Sequence, residues 1–293
     1  MQYDKIAGAP ISWGVCEVPG WGHQMGPERV LREMASLGLK ATEFGPLGFL
    51  PVEAEARAKV LHDLDMHATG GFFPVLLHDA SHDPLPIVEE ELRSYVATGA
   101  TTLVLAADSG KAGYDEKRAE LSEEQWATVF KNLNAISALA NSVGVKAVLH
   151  PHVGTIIETH DDVVKVVNGS DIFFCLDTGH MVIGGADPVW FSDAHATRVA
   201  HSHLKDVDLT WAKKVQDGDV TYYDAVVQGM YRPLGKGDVD IRAIVRNLLL
   251  AGYQGWFVLE QDNVITSNPA EGAGPYEDAK TSVEFLRAVI AEI

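Results

Sequence analysis

The stretch SVGVKAVLHPH (142–152) contains the end of a helix, a buried strand and a polar strand end. Gly144 follows a helical stretch and precedes a strand, which is a common position for a helix-terminating glycine. The apolar run 147–149 is typical of a buried strand. His150 and His152 follow it, separated by a proline, and proline belongs at the end or the edge of a strand. Because residues two apart in a strand point to the same face, both imidazoles are predicted to enter one pocket.

The same order of helix, glycine and strand recurs at SLGLK (36–40) and LAGYQG (250–255). Strands are predicted at 5–13, 40–45, 67–75, 101–107, 146–152, 172–178, 198–206 and 255–262. Helices are predicted at 28–37, 53–64, 85–98, 123–142, 161–167, 188–195, 241–251 and 276–290. Their alternation predicts an α/β fold, a (β/α)8 TIM barrel that forms a single domain over 1–293. A doubly wound parallel sheet is the alternative, but the first strand-to-helix junction carries no GxGxxG.

One long interruption, about residues 207–238, follows the seventh predicted strand. On a barrel this segment is a βα loop over the active face, and loops of such length are usually lids or subunit contacts. Trp211 and the tyrosines of the segment are therefore candidates for a contact between subunits.

The composition excludes several classes of protein. The formal net charge is −18, from 41 acidic and 23 basic residues, so the basic footprint that nucleic acid requires is missing. An anionic membrane is disfavoured for the same reason, and no run reaches the roughly 18 apolar residues of a membrane span. Only two cysteines occur, far apart, and the first residues do not resemble a secretory signal, so we expect a cytoplasmic protein. The predicted partner is a small polyol or keto-sugar.

Several predicted strands end in groups suited to metal binding or proton transfer. These are Glu43, His150 with His152, Asp177 with His180, His201 with His203 and Lys205, and Glu260 with Asp262. In a barrel the carboxyl ends of the strands meet at the catalytic face. One Asp, one Glu and one or two His form a mixed oxygen and nitrogen set that suits Mn²⁺, Co²⁺, Fe²⁺ or Zn²⁺. The predicted ligands are His150, Asp177, His203 and Glu260.

Some of these residues also have a purely structural interpretation. His201 fits a core histidine, and His152 fits a residue that caps a loop carbonyl. Asp177 fits a helix cap, because DTGH precedes a helical stretch. Lys205 fits a salt bridge to Asp206 or Asp208 at the rim of the barrel.

Motifs along nearly the whole chain, from about residue 6 to 290, resemble the xylose-isomerase-like barrel superfamily of sugar isomerases, epimerases and dehydratases. They are ISWGV (11–15), TEFGPLGFLP (42–51), HPHVGT (150–155), LDTGH (176–180), HLKDV (203–207), PLGKGDVD (233–240) and FVLEQD (257–262). Within the superfamily they are most similar to the inosose dehydratase branch. Sugar isomerases of the superfamily usually bind their ion with a Glu-Asp-His-Glu set, and here His150 stands where the first Glu is expected. Whether His150 or His152 contacts the metal stays open, and the resemblance implies that His180 contacts substrate hydroxyls.

The resemblance implies a metal-dependent dehydratase, a carbon–oxygen lyase that removes water from an inosose (2-keto-myo-inositol) through an enediolate in inositol catabolism. Such chemistry removes a proton beside a carbonyl, and a divalent ion stabilises the charge that develops. The candidates for its base and its acid are His152, His180, Lys205 and Glu43. The resemblance favours Mn²⁺ or Co²⁺, with Zn²⁺ or Fe²⁺ as alternatives, no redox cofactor, and a homo-oligomer, a dimer or a tetramer.

Other functions use the same fold. An isomerase or epimerase of a keto-sugar or inosose, or a lyase of 3-keto-glycosides, would share the metal and the enediolate. A DNA-repair endonuclease with this barrel needs a basic groove, which the charge of −18 disfavours. A non-catalytic sugar-binding barrel would bind its ligand without turnover.

Overall fold

The computed structural model describes residues 3–111, 113–116 and 119–293, so positions 1–2, 112 and 117–118 of the predicted domain lie outside the described residues. Eight parallel strands form a closed barrel in the order β1-β10-β7-β6-β5-β4-β3-β2. The barrel strands are β1 (Ile6–Gly8), β2 (Ala41–Glu43), β3 (His67–Val75), β4 (Thr102–Ala107), β5 (Lys146–Leu149), β6 (Phe173–Asp177), β7 (Val199–Leu204) and β10 (Phe257–Leu259). A separate antiparallel pair consists of β8 (Asp206–Val207) and β9 (Tyr231–Arg232). The barrel that the alternation predicts is therefore confirmed, and the doubly wound alternative is wrong.

Helices connect the strands and cover the outside of the barrel. They are α1 (Pro27–Ser36), α2 (Ala54–His62), α3 (Leu85–Thr98), α4 (Glu123–Ser142), α5 (His160–Gly169), α6 (Thr178–Ile183), α7 (Pro188–Ala194), α8 (Leu209–Gln216), α9 (Tyr222–Val227), α10 (Ile241–Leu250) and α11 (Pro275–Ala291). Short 3-10 turns lie at Pro10–Trp13 and Ala196–Arg198. Among the described residues, no helix has both the length and the apolar character needed to cross a bilayer.

Residues at the two ends of α4 determine where this helix begins and where the chain turns into β5. A capping box between Ser122 and Gln125 begins α4 by satisfying free backbone N–H groups. At the other end Gly144 adopts φ +79°, a conformation that is costly for residues with a Cβ, and the chain turns into β5. Buried apolar side chains then fill the barrel interior, including Val104, Val148 and Cys175.

The observed strands are mostly shorter than the predicted ones. β1 ends at Gly8 because Pro10 begins a 3-10 turn, and β5 ends at Leu149, before His150. At the end of β6 the chain passes directly into α6, a helix absent from the predicted set. Residues at these strand ends therefore point into the pocket from turns and helix starts.

The interruption at 207–238 is not an irregular loop, because it contains α8, α9 and β9. The carboxylate of Asp206 accepts hydrogen bonds from the backbone N–H groups of Gly235, Gly237 and Val239, which ties the end of this segment to the barrel. Tyr222 of α9 reaches the polar residues that follow β10. That residues 1–293 form a single domain stays a prediction.

Candidate active site

The polar residues predicted at the strand ends all lie in one buried cluster. Each of them is less than 9% exposed: Glu43, His150, His152, Asp177, His180, His201, His203, Lys205, Glu260 and Asp262. Charged groups are seldom buried to this degree without partners, and here the partners come from one another. The cluster is therefore held together by contacts among its own acids, imidazoles and lysine.

The two carboxylate oxygens of Asp177 have different contacts: one caps a helix and the other faces the site. Oδ1 accepts hydrogen bonds from the backbone N–H groups of Gly179 and His180, both at 2.8 Å, so the residue caps α6. Oδ2 lies 3.2 Å from His150 Nε2 and 3.5 Å from His203 Nδ1. The structural interpretation of Asp177 is thus confirmed, and it leaves Oδ2 to act in the site.

His203 lies between carboxylates on both sides of its ring. Its Nε2 lies 2.8 Å from Oε1 of Glu43, which also lies 3.0 Å from His201 Nε2. Its Nδ1 lies 3.0 Å from Oε2 of Glu260, but the geometry is not that of a hydrogen bond. The Nδ1 atom is therefore buried, unpaired by hydrogen bonding and aimed at two carboxylates.

Three of the four predicted ligands meet as a group. The ligand atoms of Asp177, His203 and Glu260 all lie within 4.8 Å of one another. His150 adjoins this group, because its Nε2 approaches Asp177 and its ring centroid lies 4.8 Å from that of His203. The structure therefore brings all four predicted ligands to one place, with His150 on the side of Asp177 and His203.

His152 differs from His150 in its contacts. Its Nδ1 lies 2.7 Å from the Val153 carbonyl oxygen, which can only accept, so Nδ1 carries the proton and Nε2 has the lone pair. Among the described residues it belongs to no group with metal-binding spacing. Its ring centroid lies 3.7 Å from that of His180, and the side chain lines the cavity above the site. Burial, with the nearby positive groups His150 and Lys205, lowers the pKa of His152 to about 3.

Lys205 is the buried cation of the cluster. Its Nζ lies 2.7 Å from Oε1 of Glu260 and 3.5 Å from Oδ2 of Asp177, and it donates to Asp262. Burial favours the neutral amine, but these three carboxylates outweigh it and hold the pKa of Lys205 well above its usual value. Lys205 is therefore an ammonium at neutral pH. Within the described chain its ion pairs are with these three acids and not with Asp206 or Asp208, so the predicted rim salt bridge is wrong. Asp208 pairs with Arg232 instead.

His180 lies behind the residues that line the cavity. Its Nε2 is 3.3 Å from Lys205 Nζ, and the residue is 1% exposed. Burial lowers the pKa of His180 well below the usual range. Its implied contact with substrate stays a prediction.

The carboxylate of Glu260 is held in the ionised form. Burial opposes ionisation of Glu260, but His203 and Lys205 outweigh it and lower its pKa to about 2. For His203, burial favours the neutral ring, yet the neighbouring acidic groups, including Cys175, Glu260 and Glu43, hold its pKa well above the usual value. Without a metal the site is therefore an assembly of ion pairs.

The donor set fits a divalent metal ion. Neighbouring ligand atoms lie 3.0, 3.2 and 3.5 Å apart. A four-coordinate ion with bonds near 2.0–2.2 Å needs donors about 3.3 Å apart. Two carboxylates and two imidazoles suit Mn²⁺, Co²⁺, Fe²⁺ and Zn²⁺, and geometry and metal availability decide among these ions. Nδ1 of His203 lies 3.0 Å from Glu260 and 3.5 Å from Asp177 without a hydrogen bond to either carboxylate, an arrangement that suits donors sharing one ion.

The cavity above the cluster has a volume of about 400 Å³. His150, His152, His203, Glu260 and Asp262 form part of its floor. Such a volume accommodates a small cyclic substrate.

The sequence placed Asp262 among the polar strand ends, on the same strand face as Glu260, but assigned it neither as a ligand nor as an acid or base. The tyrosines of the long segment were predicted only as subunit contacts, whereas Tyr222 and Tyr231 are buried in the site. Tyr222 donates to Asp262 and lies 2.9 Å from the hydroxyl of Tyr231. Both tyrosines come from the 207–238 segment, where no sequence pattern indicates which side chain turns inward.

The fold and the site together define a class of protein, a barrel with acids and imidazoles gathered at its strand ends. A family model described as xylose isomerase-like TIM barrel matches residues 31–289, and the chain belongs to this family. Within it, the chain groups with the inosose dehydratases. It is 30% identical to the inosose dehydratase of Geobacillus kaustophilus, over 98% of this chain and 94% of that protein.

Two further comparisons agree on the family and the fold. The rhizopine catabolism protein MocC of Rhizobium meliloti is 32% identical, over 88% of this chain and 81% of its own length. A crystal structure of IOLI protein with a binding zinc atom superposes with a TM-score of 0.68 at 14% identity, covering 98% of each chain. At that identity the superposition supports the fold alone.

Proposed function

We propose that the protein is a metal-dependent hydro-lyase that removes water from an inosose. The observation that carries this proposal is the buried group of Asp177, His203 and Glu260 beneath a cavity of about 400 Å³. It stands in a chain that is 30% identical, over nearly its full length, to an inosose dehydratase. Loss of water leaves the overall oxidation state of the substrate unchanged, so the reaction needs no redox cofactor.

Four residues would hold the ion: His150, Asp177, His203 and Glu260. Asp177 Oδ2, His203 Nδ1 and Glu260 Oε2 are the atoms turned toward one another. We assign His150, and not His152, as the fourth ligand because it lies 3.2 Å from Asp177, whereas His152 is tied to the Val153 carbonyl. When bound, Mn²⁺ or Co²⁺, with Zn²⁺ or Fe²⁺ as alternatives, supplies Lewis acidity toward the substrate carbonyl.

His152 is the proposed base. Its Nε2 carries a lone pair, its low pKa keeps the ring neutral, and it lines the cavity. It would accept the proton from the carbon beside the carbonyl. A base with so low a pKa is weak, so the acidity of the substrate must be raised in the site before transfer is efficient.

Asp262 and Lys205 form the proposed acid. Lys205 is an ammonium, and Asp262, whose pKa burial raises, lines the cavity and accepts from Lys205. A proton passed from this pair to the departing hydroxyl completes one molecule of water, because the hydroxide leaves with its bonding electrons. The charge balance is restored when the proton held by His152 returns to solvent or to the pair.

Glu43 and His180 are proposed as positioning residues. Glu43 Oε1 is shared by two imidazoles, and His180 contacts Lys205 from behind the floor of the cavity. Against the effect of burial, the two imidazoles lower the pKa of Glu43, which makes its carboxylate a weak base, and His180 is not one of the described residues that line the cavity. A role as acid or base is therefore the weaker interpretation for both residues.

We also propose a cytoplasmic homo-oligomer that binds no nucleic acid or membrane. Both cysteines are free and buried, which fits a reducing compartment, and the net charge of −18 opposes contact with polyanions. Leu209 and Val227 of the 207–238 segment are exposed apolar residues, a property of subunit contacts.

The test combines metal analysis with NMR of an inosose incubated with the purified protein in heavy water. We expect a stoichiometric divalent metal, exchange of the proton beside the carbonyl, and a product lighter by one water. Exchange with an isomeric product of unchanged mass would instead establish the isomerase or epimerase. Absence of exchange in metal-loaded protein would contradict the proposed chemistry.

A further inference from the structure

The cavity above the metal cluster has two chemically different sides. One side carries Glu17 and Tyr114, whose hydroxyl donates to the Glu17 carboxylate at 2.6 Å. The side toward β2 and β3 is apolar. We call it the apolar wall, and define it by Phe44, Leu47, Leu50, Phe72 and Tyr95.

The apolar wall is continuous with the catalytic floor. Phe72 lies against the floor imidazoles, with its ring 5.9 Å from His150 and 5.2 Å from His152. Phe44 directly follows Glu43 in the chain, and its ring meets that of Tyr95 edge-on at 5.1 Å. A ligand bound on the floor therefore has the wall as its immediate neighbour.

The wall is built as a firm surface. The guanidinium of Arg57 stacks on the Phe44 ring at 4.6 Å and donates to the carbonyl oxygens of Pro51 and Val52. The Tyr95 hydroxyl donates to the Gly71 carbonyl oxygen at 2.9 Å. These contacts engage the polar atoms of Arg57 and Tyr95, and the Glu91 carboxylate, which also lines the cavity, is balanced by the charge of Arg57. A ligand on the wall therefore meets mainly rings and aliphatic side chains.

At the rim of the wall one apolar side chain is left in water. Leu47 is 88% exposed, although it lines the cavity. It stands between Gly45, at φ +67°, and Gly48, at φ +90°. Leu47 therefore extends the apolar wall outward to the mouth of the cavity.

An unsubstituted inosose makes poor use of this surface. Its ring carries oxygen on every carbon, so its edge is polar, only the C–H bonds on its faces are apolar, and it has no apolar arm that extends beyond the ring. The cavity volume of about 400 Å³ lies in the range of roughly 300–1,000 Å³ that holds drug-sized ligands, which are larger than one six-membered ring. The apolar wall and the volume beyond one ring both indicate that the ligand carries an apolar substituent.

We propose that the natural substrate is a cyclic keto-polyol that carries an apolar substituent, an alkyl or aryl group joined through an ether or glycosidic oxygen, seated on the apolar wall. This inference rests on the proposed function, because the ring must bind on the metal floor. The inference adds to that function a subsite, the apolar wall, and a class of substrate.

The test compares an inosose with its methyl, ethyl and butyl ethers, made at a hydroxyl not adjacent to the carbonyl, on the metal-loaded protein. We expect kcat/KM to rise about fourfold for each methylene that the wall covers. Leu47→Ser should reduce the ratio of kcat/KM for the butyl ether to that for the inosose. The matched control is Leu250→Ser, since Leu250 is 67% exposed at the end of α10 and lies outside the residues that line this cavity.

A second measurement needs no turnover. Calorimetry with the butyl ether of inositol, which lacks the carbonyl, reports binding alone, and we expect Leu47→Ser to weaken it relative to inositol. Turnover of the inosose with no gain along the ether series overturns the subsite and leaves the proposed function intact. Leu47-dependent binding without turnover of any inosose supports the subsite and overturns the function.

The remaining outcome concerns a contact between copies of the chain. If Leu47→Ser changes the sedimentation coefficient while the ether series stays flat, the rim belongs to a subunit interface and the subsite is overturned. Sedimentation velocity on both leucine variants therefore accompanies the kinetic series.

Discussion

Nε2 of His203 lies 2.8 Å from Oε1 of Glu43, which fixes the orientation of the imidazole. Because that nitrogen is engaged, Nδ1 is the atom turned toward Asp177 and Glu260. A carboxylate that orients a metal-binding histidine also raises the basicity of the ligand. Glu43, at the end of β2, therefore orients Nδ1 of His203, the atom that we propose as a metal ligand.

We expect Glu43→Gln to weaken metal binding by about 10–100-fold, the usual effect of losing such an orienting partner. The Gln side chain has the same size as Glu, but its neutral amide gives His203 and His201 no negative charge. Competition with a fluorescent chelator measures the change. Glu91→Gln is the control, since Glu91 lines the same cavity and its charged neighbours are Arg57 and Glu90. Equal affinities in the two variants would contradict the positioning role.

Glu260→Gln should remove the metal and the activity together. Glu260 supplies the oxygen nearest His203 Nδ1, and its replacement also deprives Lys205 of a carboxylate at 2.7 Å. We expect a loss of affinity at least as large as the roughly 10–100-fold attributed to an outer partner. Metal analysis after gel filtration, with circular dichroism to establish folding, provides the measurement. A folded variant with full metal content and full turnover would refute the ligand assignment.

Lys205→Met should separate metal binding from chemistry. Loss of the ammonium removes repulsion from the ion, so metal content should be maintained, while turnover falls by about 10²–10⁴-fold with the proton donor gone. The metal-free variant should lose about 3–5 kcal/mol of stability, because buried carboxylates are left with fewer partners. Lys213→Met is the control, since Lys213 is exposed on α8. Loss of metal would show instead that Lys205 supports the ion.

Metal affinity should rise with pH. The pKa of His203 is held well above its usual value of about 6.5, so its ring is protonated at neutral pH when no metal is bound. Binding must displace that proton, and affinity should increase up to about tenfold per pH unit until the pH passes the raised pKa. Titration of binding at about pH 6, 7 and 8, with proton release followed in weak buffer, tests this. A pH-independent affinity would show that the metal displaces no proton from His203.

Tyr222→Phe should lower turnover and cost about 1.5–3 kcal/mol, the range for a hydrogen bond to a charged group. The Tyr222 hydroxyl lies 2.5 Å from Oδ2 of Asp262, and it holds that carboxylate toward Lys205. Urea unfolding and kcat are the two measurements. Tyr223→Phe is a neighbouring control, because its hydroxyl makes long contacts, at 3.5 Å, to backbone oxygens. If both variants behave alike, Tyr222 does not position Asp262.

Much of the fold could be predicted because its signals are local. Helix α4 and strand β3 occupy the predicted ranges 123–142 and 67–75, since capping residues, glycines and apolar runs act within a few positions of one another. The ends of β1 and β10 could not be predicted as well. Where a barrel strand stops depends on the neighbours to which it is bonded.

The sequence by itself determined the alternation of strands and helices and the polar residues that end the strands. Asp177, His203 and Glu260 could be nominated from their places at predicted strand ends and from their mixed oxygen and nitrogen donors. Strand parity alone could not choose between His201 and His203, because side chains two apart share a direction. Only the tertiary structure decided which nitrogen of His203 faces Asp177 and Glu260, that Lys205 is a buried cation, and that Tyr222 reaches Asp262. These facts depend on contacts between residues far apart in the chain, which exist only after the barrel closes and its segments come together.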